Sequence, residues 1–198
     1  MGIQNIAPPQ LEDAFDIPGL SYISDFIDAQ TEESLIRVID DQPWITDLKR
    51  RVQHYGYKYD YKARNVTPDS KLGDIPTWLM PYCESLQSAG LFQRLPDQVI
   101  INEYQPGQGI APHIDCIPCF DAIIASLSLD SACLMNFKHS KTKQSTSQLL
   151  EPRSLMVLSG EARYEWQHSI SPRKTDNHGS EIILRNRRLS LTFRNVIL

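Results

Sequence analysis

Beyond Gln98 the sequence becomes a series of short apolar or alternating runs, at 99–104, 122–129, 132–139, 154–159, 163–170 and 189–196. Turn-rich segments such as Pro106-Gly107-Gln108-Gly109 and 141–147 separate them. Runs of this length bounded by turn signals predict strands. Ahead of them the pattern is helical. Leu35, Ile36 and Ile39 recur at helical spacing, predicting an amphipathic helix over 31–41. Asp28 or Thr31 would cap it, and Glu32 and Glu33 suit its N-terminus. A second helix is predicted over 76–89, opened by Pro76 and stopped by Gly90, and 22–27 reads as a short strand. Residues 1–20, with Pro8, Pro9 and Pro18, read as an irregular arm, leaving 21–198 as one domain without repeats or linkers. Helices followed by many short strands predict an α+β fold whose C-terminal half closes into a sandwich or jelly roll.

With 198 residues, 41% of them hydrophobic and 22% charged, the composition is that of a soluble globular chain with one sizeable core. No run approaches the roughly 18 apolar residues a membrane span needs, so no membrane partner is expected. The N-terminus has no basic stretch followed by an apolar one, and Ile6 stands where a myristoylation signal wants Ser or Thr. A cytoplasmic location is the expectation. The cysteines Cys83, Cys116, Cys119 and Cys133 do not form a disulfide framework. Cys116-x-x-Cys119 is half of a zinc pattern without its second half, so reduced thiols lining a loop are expected there. The net charge of −4 does not recruit nucleic acid, and any such binding has to come from a local basic patch.

One such patch spans 49–64, KRRVQHYGYKYDYKAR, where six lysines and arginines and His54 face the single acid Asp60. Tyr55, Tyr57, Tyr59 and Tyr61 fall at alternate positions, so an extended segment would show them on one face. Cations beside an aromatic row suit phosphate contacts and stacking on unpaired bases. A tyrosine stripe packed on the core, with its charges in water, fits the same pattern. A second basic group, Lys138, His139, Lys141 and Lys143, falls at an expected hairpin tip, where lysines commonly serve solubility.

The first chemical signal is His113-Ile114-Asp115. Residues two apart in an extended segment share a face, so the imidazole and the carboxylate can hold one ion. His168, from a distant strand, would complete a two-His-one-carboxylate triad with open iron positions. The last strand adds a second signal. In Arg188-Leu189-Ser190-Leu191-Thr192-Phe193-Arg194 the even positions are polar and the odd ones apolar. This alternation fits a solvated outer face. It equally fits a polar face inside a barrel mouth, where two arginines would bracket a short dicarboxylate, one at each end.

Taken in order, Asn102-Glu103-Tyr104, Pro106-Gly107-Gln108-Gly109-Ile110, His113-Ile114-Asp115, Ser126-Leu127-Ser128-Leu129, Leu158-Ser159-Gly160-Glu161-Ala162-Arg163-Tyr164, Trp166-Gln167-His168-Ser169-Ile170 and Arg188 through Arg194 resemble the AlkB family of dioxygenases. The likeness runs from about Tyr22 to Val196. Arg50-Arg51-Val52-Gln53-His54-Tyr55-Gly56-Tyr57 and Pro172-Arg173-Lys174 most resemble the oxygenase domain of the branch that hydroxylates a modified wobble uridine in tRNA. Relatives in that branch also carry RNA-binding and methyltransferase domains.

The resemblance implies a double-stranded β-helix with a nucleotide-recognition lid over about 49–64 and Fe(II) held by His113, Asp115 and His168. It implies that Asn102, Tyr104 and Arg188 hold 2-oxoglutarate, with Arg188 on the distal carboxylate. It puts Arg194 near the proximal carboxylate and Asp115, and matches Thr192 to a family position. Ser190 stands where relatives often carry Asn. Arg50, Arg51, His54, Tyr55, Tyr57 and Arg163 become the implied substrate contacts. The family's chemistry consumes O2 and 2-oxoglutarate, releases carbon dioxide and succinate, and oxidises a carbon attached to a base. An oxidised N-alkyl group leaves as an aldehyde, whereas a side arm on ring carbon keeps its hydroxyl. For a free-standing domain the expectation is oxidative dealkylation of DNA or RNA, with the tRNA side-arm reaction as the alternative. A protein hydroxylase or a non-catalytic nucleic-acid-binding module is a further alternative. Hydroxylases of that kind usually use one basic residue some ten positions after the distal histidine, without a paired-arginine strand.

Overall fold

The computed structural model describes residues 17–198, so most of the arm expected over 1–20 lies outside the described residues. A six-stranded sheet runs in the order β1 (Leu20–Ile23), β8 (Leu155–Leu158), β5 (Phe120–Leu129), β12 (Arg188–Val196), β3 (Gln98–Tyr104) and β2 (Arg51–Tyr55). A four-stranded sheet, β4 (Ile110–His113), β9 (Trp166–Ile170), β6 (Cys133–His139) and β7 (Ser145–Leu150), faces it. All neighbours are antiparallel. A separate hairpin joins β10 (Thr175–His178) to β11 (Glu181–Leu184). The result is the double-stranded β-helix that the family resemblance implied.

Helix α1 (Ala29–Asp40) starts where the Asp28 carboxylate accepts a hydrogen bond from the Thr31 amide at 2.7 Å. Helix α2 (Met80–Ser88) begins later than 76, because the Pro76 carbonyl closes only a turn with Leu79 and Met80. Two further expectations need correcting. The run at 163–170 is not one strand: Arg163 and Tyr164 belong to a single helical turn, α3 (Gly160–Tyr164), and the strand begins at Trp166. The segment 141–147 is not all turn, since β7 starts at Ser145. The β10–β11 hairpin carried no alternation strong enough to announce it.

The period-two pattern decides which side of the large sheet each residue joins. Leu189, Leu191 and Phe193 of β12 pack with Ala125, Leu127 and Leu129 of β5 beneath the helices, against Leu35, Ile39, Leu79 and Leu86. On the opposite side, Ile124, Met156 and Leu158 meet Met135, Phe137 and Trp166 of the small sheet. Each fully buried leucine of this kind stabilises the fold by about 2 kcal/mol. Because cores lie on both faces, all nine residues of β12 are buried. The polar residues of β12 therefore face the barrel interior, and the solvated arrangement is excluded.

Two glycines set the geometry around the barrel mouth. A Cβ on Gly109 would lie 2.1 Å from the Ile170 carbonyl oxygen, so only glycine lets the chain enter β4 this close to β9. Gly56 has φ +76°, and a Cβ there would lie 1.8 Å from the Asp97 carbonyl oxygen. It turns the chain out of β2 and ends the strand.

Candidate active site

The register of β4 on β9 sets His113 opposite His168, with ring centroids 4.3 Å apart. Asp115 follows in the loop after β4, its Oδ1 3.6 Å from His113 Nε2. The ligand atoms of all three residues lie within 4.8 Å of one another. His113 Nδ1 donates to the Ala111 carbonyl oxygen at 2.8 Å, which leaves the Nε2 lone pair facing the carboxylate. Burial pushes the His168 imidazole down to about 4, helped by His113, Arg194 and Arg163 and opposed by Asp115. The ring is therefore neutral at pH 7, as a metal ligand must be. Burial alone would raise the Asp115 carboxyl, but the Arg194 guanidinium and the two imidazoles outweigh it and hold the group well below the usual range. Two imidazoles and an ionised carboxylate on one side of a cavity suit a divalent iron with open positions.

Arg188 and Arg194 meet different fates. Arg194 donates from Nε and Nη2 to Asp115 Oδ2 at 3.2 and 3.1 Å, and from Nη1 to Gln98 Oε1 at 3.3 Å. Its guanidinium thus lies against Asp115, where the resemblance placed it. Arg188 is only 3% exposed, and its Nη2 donates to Ser128 Oγ at 2.8 Å. Its Nε and Nη1 are buried without a partner. Orphaned donors on a buried cation are costly, and a ligand carboxylate is the group that would satisfy them. The Tyr104 ring lies 5.7 Å from this guanidinium. Asn102 Oδ1 accepts from Arg50 Nε at 2.7 Å. Ser190 Oγ pairs with Ser126 Oγ at 2.9 Å. A cavity of about 490 Å³ joins these groups, bounded by the triad, Asn102, Tyr104, Arg188, Thr192 and Arg194 among others.

The residues expected to contact substrate are mostly elsewhere. Arg50 lines the cavity. Arg51, one residue on, points to the other face of the sheet, where it forks onto Glu103 at 2.5 and 2.6 Å and lies over Trp44. Tyr55 packs edge-on against Trp78 at 5.3 Å, on the helix side. His54 and Tyr57 are absent from the cavity lining, although His54 meets Tyr61 edge-on at 5.8 Å. Arg163 is 1% exposed and bonds only to main-chain carbonyls. In their place Lys49, Tyr59, Tyr61 and Arg64 line the mouth. The basic and aromatic run at 49–64 pointed to the correct segment. The choice within it failed because β2 ends at Tyr55 and Gly56 breaks the alternation.

One further expectation is corrected. Cys116 and Cys119 are joined by a disulfide, so they are neither reduced thiols nor half of a zinc site. The second basic group does fall at a hairpin tip, the turn from β6 to β7. His139 is buried against Trp166, and Lys141 pairs with Glu165 at 3.0 Å.

A double-stranded β-helix with this triad at its mouth defines an iron-dependent oxygenase. The 2OG-Fe(II) oxygenase superfamily matches residues 43–194. The chain is 37% identical to the alkylated DNA repair protein ALKBH8 homolog of Arabidopsis thaliana, over 98% of this chain and 63% of that protein. It is 36% identical to the tRNA (carboxymethyluridine(34)-5-O)-methyltransferase alkbh8 of Xenopus tropicalis, over 90% of this chain and 32% of that protein. The chain thus spans less than two thirds of either relative. The solved structure of OsALKBH1 superposes with a TM-score of 0.68 at 17% identity, covering 91% of this chain and 98% of that one. The chain belongs to the 2OG-Fe(II) oxygenase superfamily and, within it, to the AlkB family. The family uses Fe(II), 2-oxoglutarate and O2.

Proposed function

We propose that the protein oxidises a carbon attached to a nucleic-acid base, removing an N-alkyl group from DNA or RNA as an aldehyde. The observation that carries this reading is one cavity holding both the triad and the half-satisfied Arg188. When bound, Fe(II), 2-oxoglutarate and oxygen supply the oxidising power. The chain supplies position. His113, Asp115 and His168 would hold the metal, and Arg194 keeps the Asp115 carboxylate oriented. Arg188, with Nε and Nη1 unpaired and its plane fixed by Ser128, would receive a carboxylate of 2-oxoglutarate, and Asn102, Tyr104 and Thr192 line the same cavity. Met135, Met156 and Ile170 line the same cavity and limit water at the reacting carbon. At the mouth, Tyr59 and Tyr61 offer faces for an unpaired base, and Lys49, Arg50 and Arg64 offer charge to its phosphates.

The test is succinate release by iron-loaded protein given alkylated oligonucleotide, hypomodified tRNA or peptide. Stimulation by the alkylated strand, with aldehyde appearing in step, is the expected result. Stimulation by peptide alone would overturn the reading. A second reading, hydroxylation of a uridine side arm in tRNA, draws support from the 36% identity to the Xenopus tRNA enzyme. It predicts succinate without aldehyde and a product heavier by one oxygen.

A further inference from the structure

We infer that Arg163 is a positioning residue that fixes the main chain of the iron ligand Asp115. The inference rests on the oxygenase reading of the site and departs from the substrate contact expected of this position. Arg163 leaves α3 and enters the interior beneath the 115–121 loop. Its Nη1 donates to the Asp115 carbonyl oxygen at 2.8 Å. Its Nη2 donates to the carbonyls of Cys116 and Phe120 at 3.2 and 3.1 Å, and Nε to that of Asp121 at 3.4 Å. The Tyr164 ring covers the guanidinium at 5.0 Å. All three guanidinium nitrogens are used, and with 1% exposure none is left for a substrate.

Burying a guanidinium without a carboxylate bonded to it is expensive, so packing alone does not explain arginine here. What arginine supplies is a rigid fork of donors that ties the carbonyls of the loop to those of the strand it leads into. The Asp115 and Cys116 carbonyls belong to the loop between the end of β4 at His113 and the start of β5 at Phe120, and those of Phe120 and Asp121 to the first two residues of β5. The loop has no sheet ladder to hold it. Arg194 grips the Asp115 side chain, and Arg163 grips its backbone. Arg163 also stands just ahead of β9, the strand that bears His168. One side chain therefore links the loop of one ligand to the strand of another. Partners behind metal ligands commonly set affinity in this way.

The test is Co(II) binding, read by its visible absorption, in metal-free wild type, Arg163→Gln and Arg163→Lys well below each protein's melting temperature. Arg163→Gln should weaken Co(II) binding by about 10- to 100-fold, and Arg163→Lys by less. Succinate release in the absence of nucleic acid should fall in the same order. Unchanged Co(II) affinity with a lowered Tm would reduce Arg163 to a scaffold residue and overturn the inference. So would a loss confined to the KM for oligonucleotide.

A measurement on the wild type covers the case in which the variants do not fold. The Cys119 and Phe120 amides both donate to the Cys116 carbonyl that Arg163 holds. In metal-free protein with the Cys116–Cys119 disulfide reduced, they should exchange hydrogen slowly. Exchange at the rate of an unstructured chain would sink the inference. If His113→Ala binds Co(II) as wild type does, the iron site itself is misassigned, which is a different failure.

Discussion

Arg194 and Asp115 form a two-to-one contact: Nε and Nη2 both donate to Oδ2, at 3.2 and 3.1 Å, while Oδ1 faces His113. Both side chains are nearly buried, so removing the arginine strands a carboxylate. Arg194→Met should therefore cost about 3 to 5 kcal/mol of stability in metal-free protein. A divalent ion restores a counter-charge to Asp115, so saturating Mn(II) should return part of that loss. Thermal melts with and without Mn(II) measure both effects. Equal losses in the two conditions would mean that Asp115 does not face the metal.

Arg188 predicts the opposite sign. Its guanidinium is buried with Nε and Nη1 unpaired, so in the ligand-free protein it is a burden rather than a tie. Arg188→Met should leave the stability of the ligand-free protein unchanged or raised. The same substitution should weaken 2-oxoglutarate binding by about 2 to 5 kcal/mol, because the ligand's carboxylate would then be buried without its partner. Calorimetric titration of 2-oxoglutarate into Mn(II)-loaded variant is the check. A destabilised apo protein with normal titration would contradict the assignment.

The tyrosines of the 49–64 segment separate by which core they touch. Tyr59 and Tyr61 line the cavity, and their rings meet edge to face at 5.1 Å. Tyr55 is part of the helix-side core. Tyr61→Ala should raise the KM for oligonucleotide by the equivalent of about 1 to 3 kcal/mol and leave succinate release without nucleic acid near wild type. Tyr55→Ala should lower Tm and leave that KM alone. Reversal of the two results would assign substrate contact to the opposite face of this segment.

What the sequence revealed divides along physical lines. The β12 alternation was legible because Leu189, Leu191 and Phe193 pack in the apolar core while Arg188, Ser190, Thr192 and Arg194 line the polar cavity. The triad was legible as His113-x-Asp115, since both residues are near in sequence, and His168 followed from the strand rhythm and the resemblance. Contacts set by hydrogen bonds between distant segments were not. Nothing local in Arg163 announces carbonyl partners 42 to 48 residues earlier. The Cys116–Cys119 bond was missed because a short C-x-x-C reads alike as thiols, zinc ligands or a disulfide. The β10–β11 hairpin was missed for another reason: it is held by its own ladder, with Ile182 and Leu184 exposed, and so lacks the buried face that makes alternation visible.

His54 gives the fold a dependence on pH. Desolvation lowers its pKa from 6.5 to about 4, and the nearby charges of Lys58, Arg194 and Arg50 push in the same direction. The folded protein therefore resists a proton that the unfolded chain accepts at about 6.5. Between those values the unfolded state binds more protons, so stability rises with pH across the window. The contribution is fully present above about pH 6.5 and is lost as the pH falls towards 4. The full shift corresponds to about 3 kcal/mol. His54→Gln removes the titrating group and should flatten the curve of denaturant-derived stability over this range, with little change at pH 7.5. An equally steep curve in the variant would assign the acid sensitivity to other groups, His168 first among them.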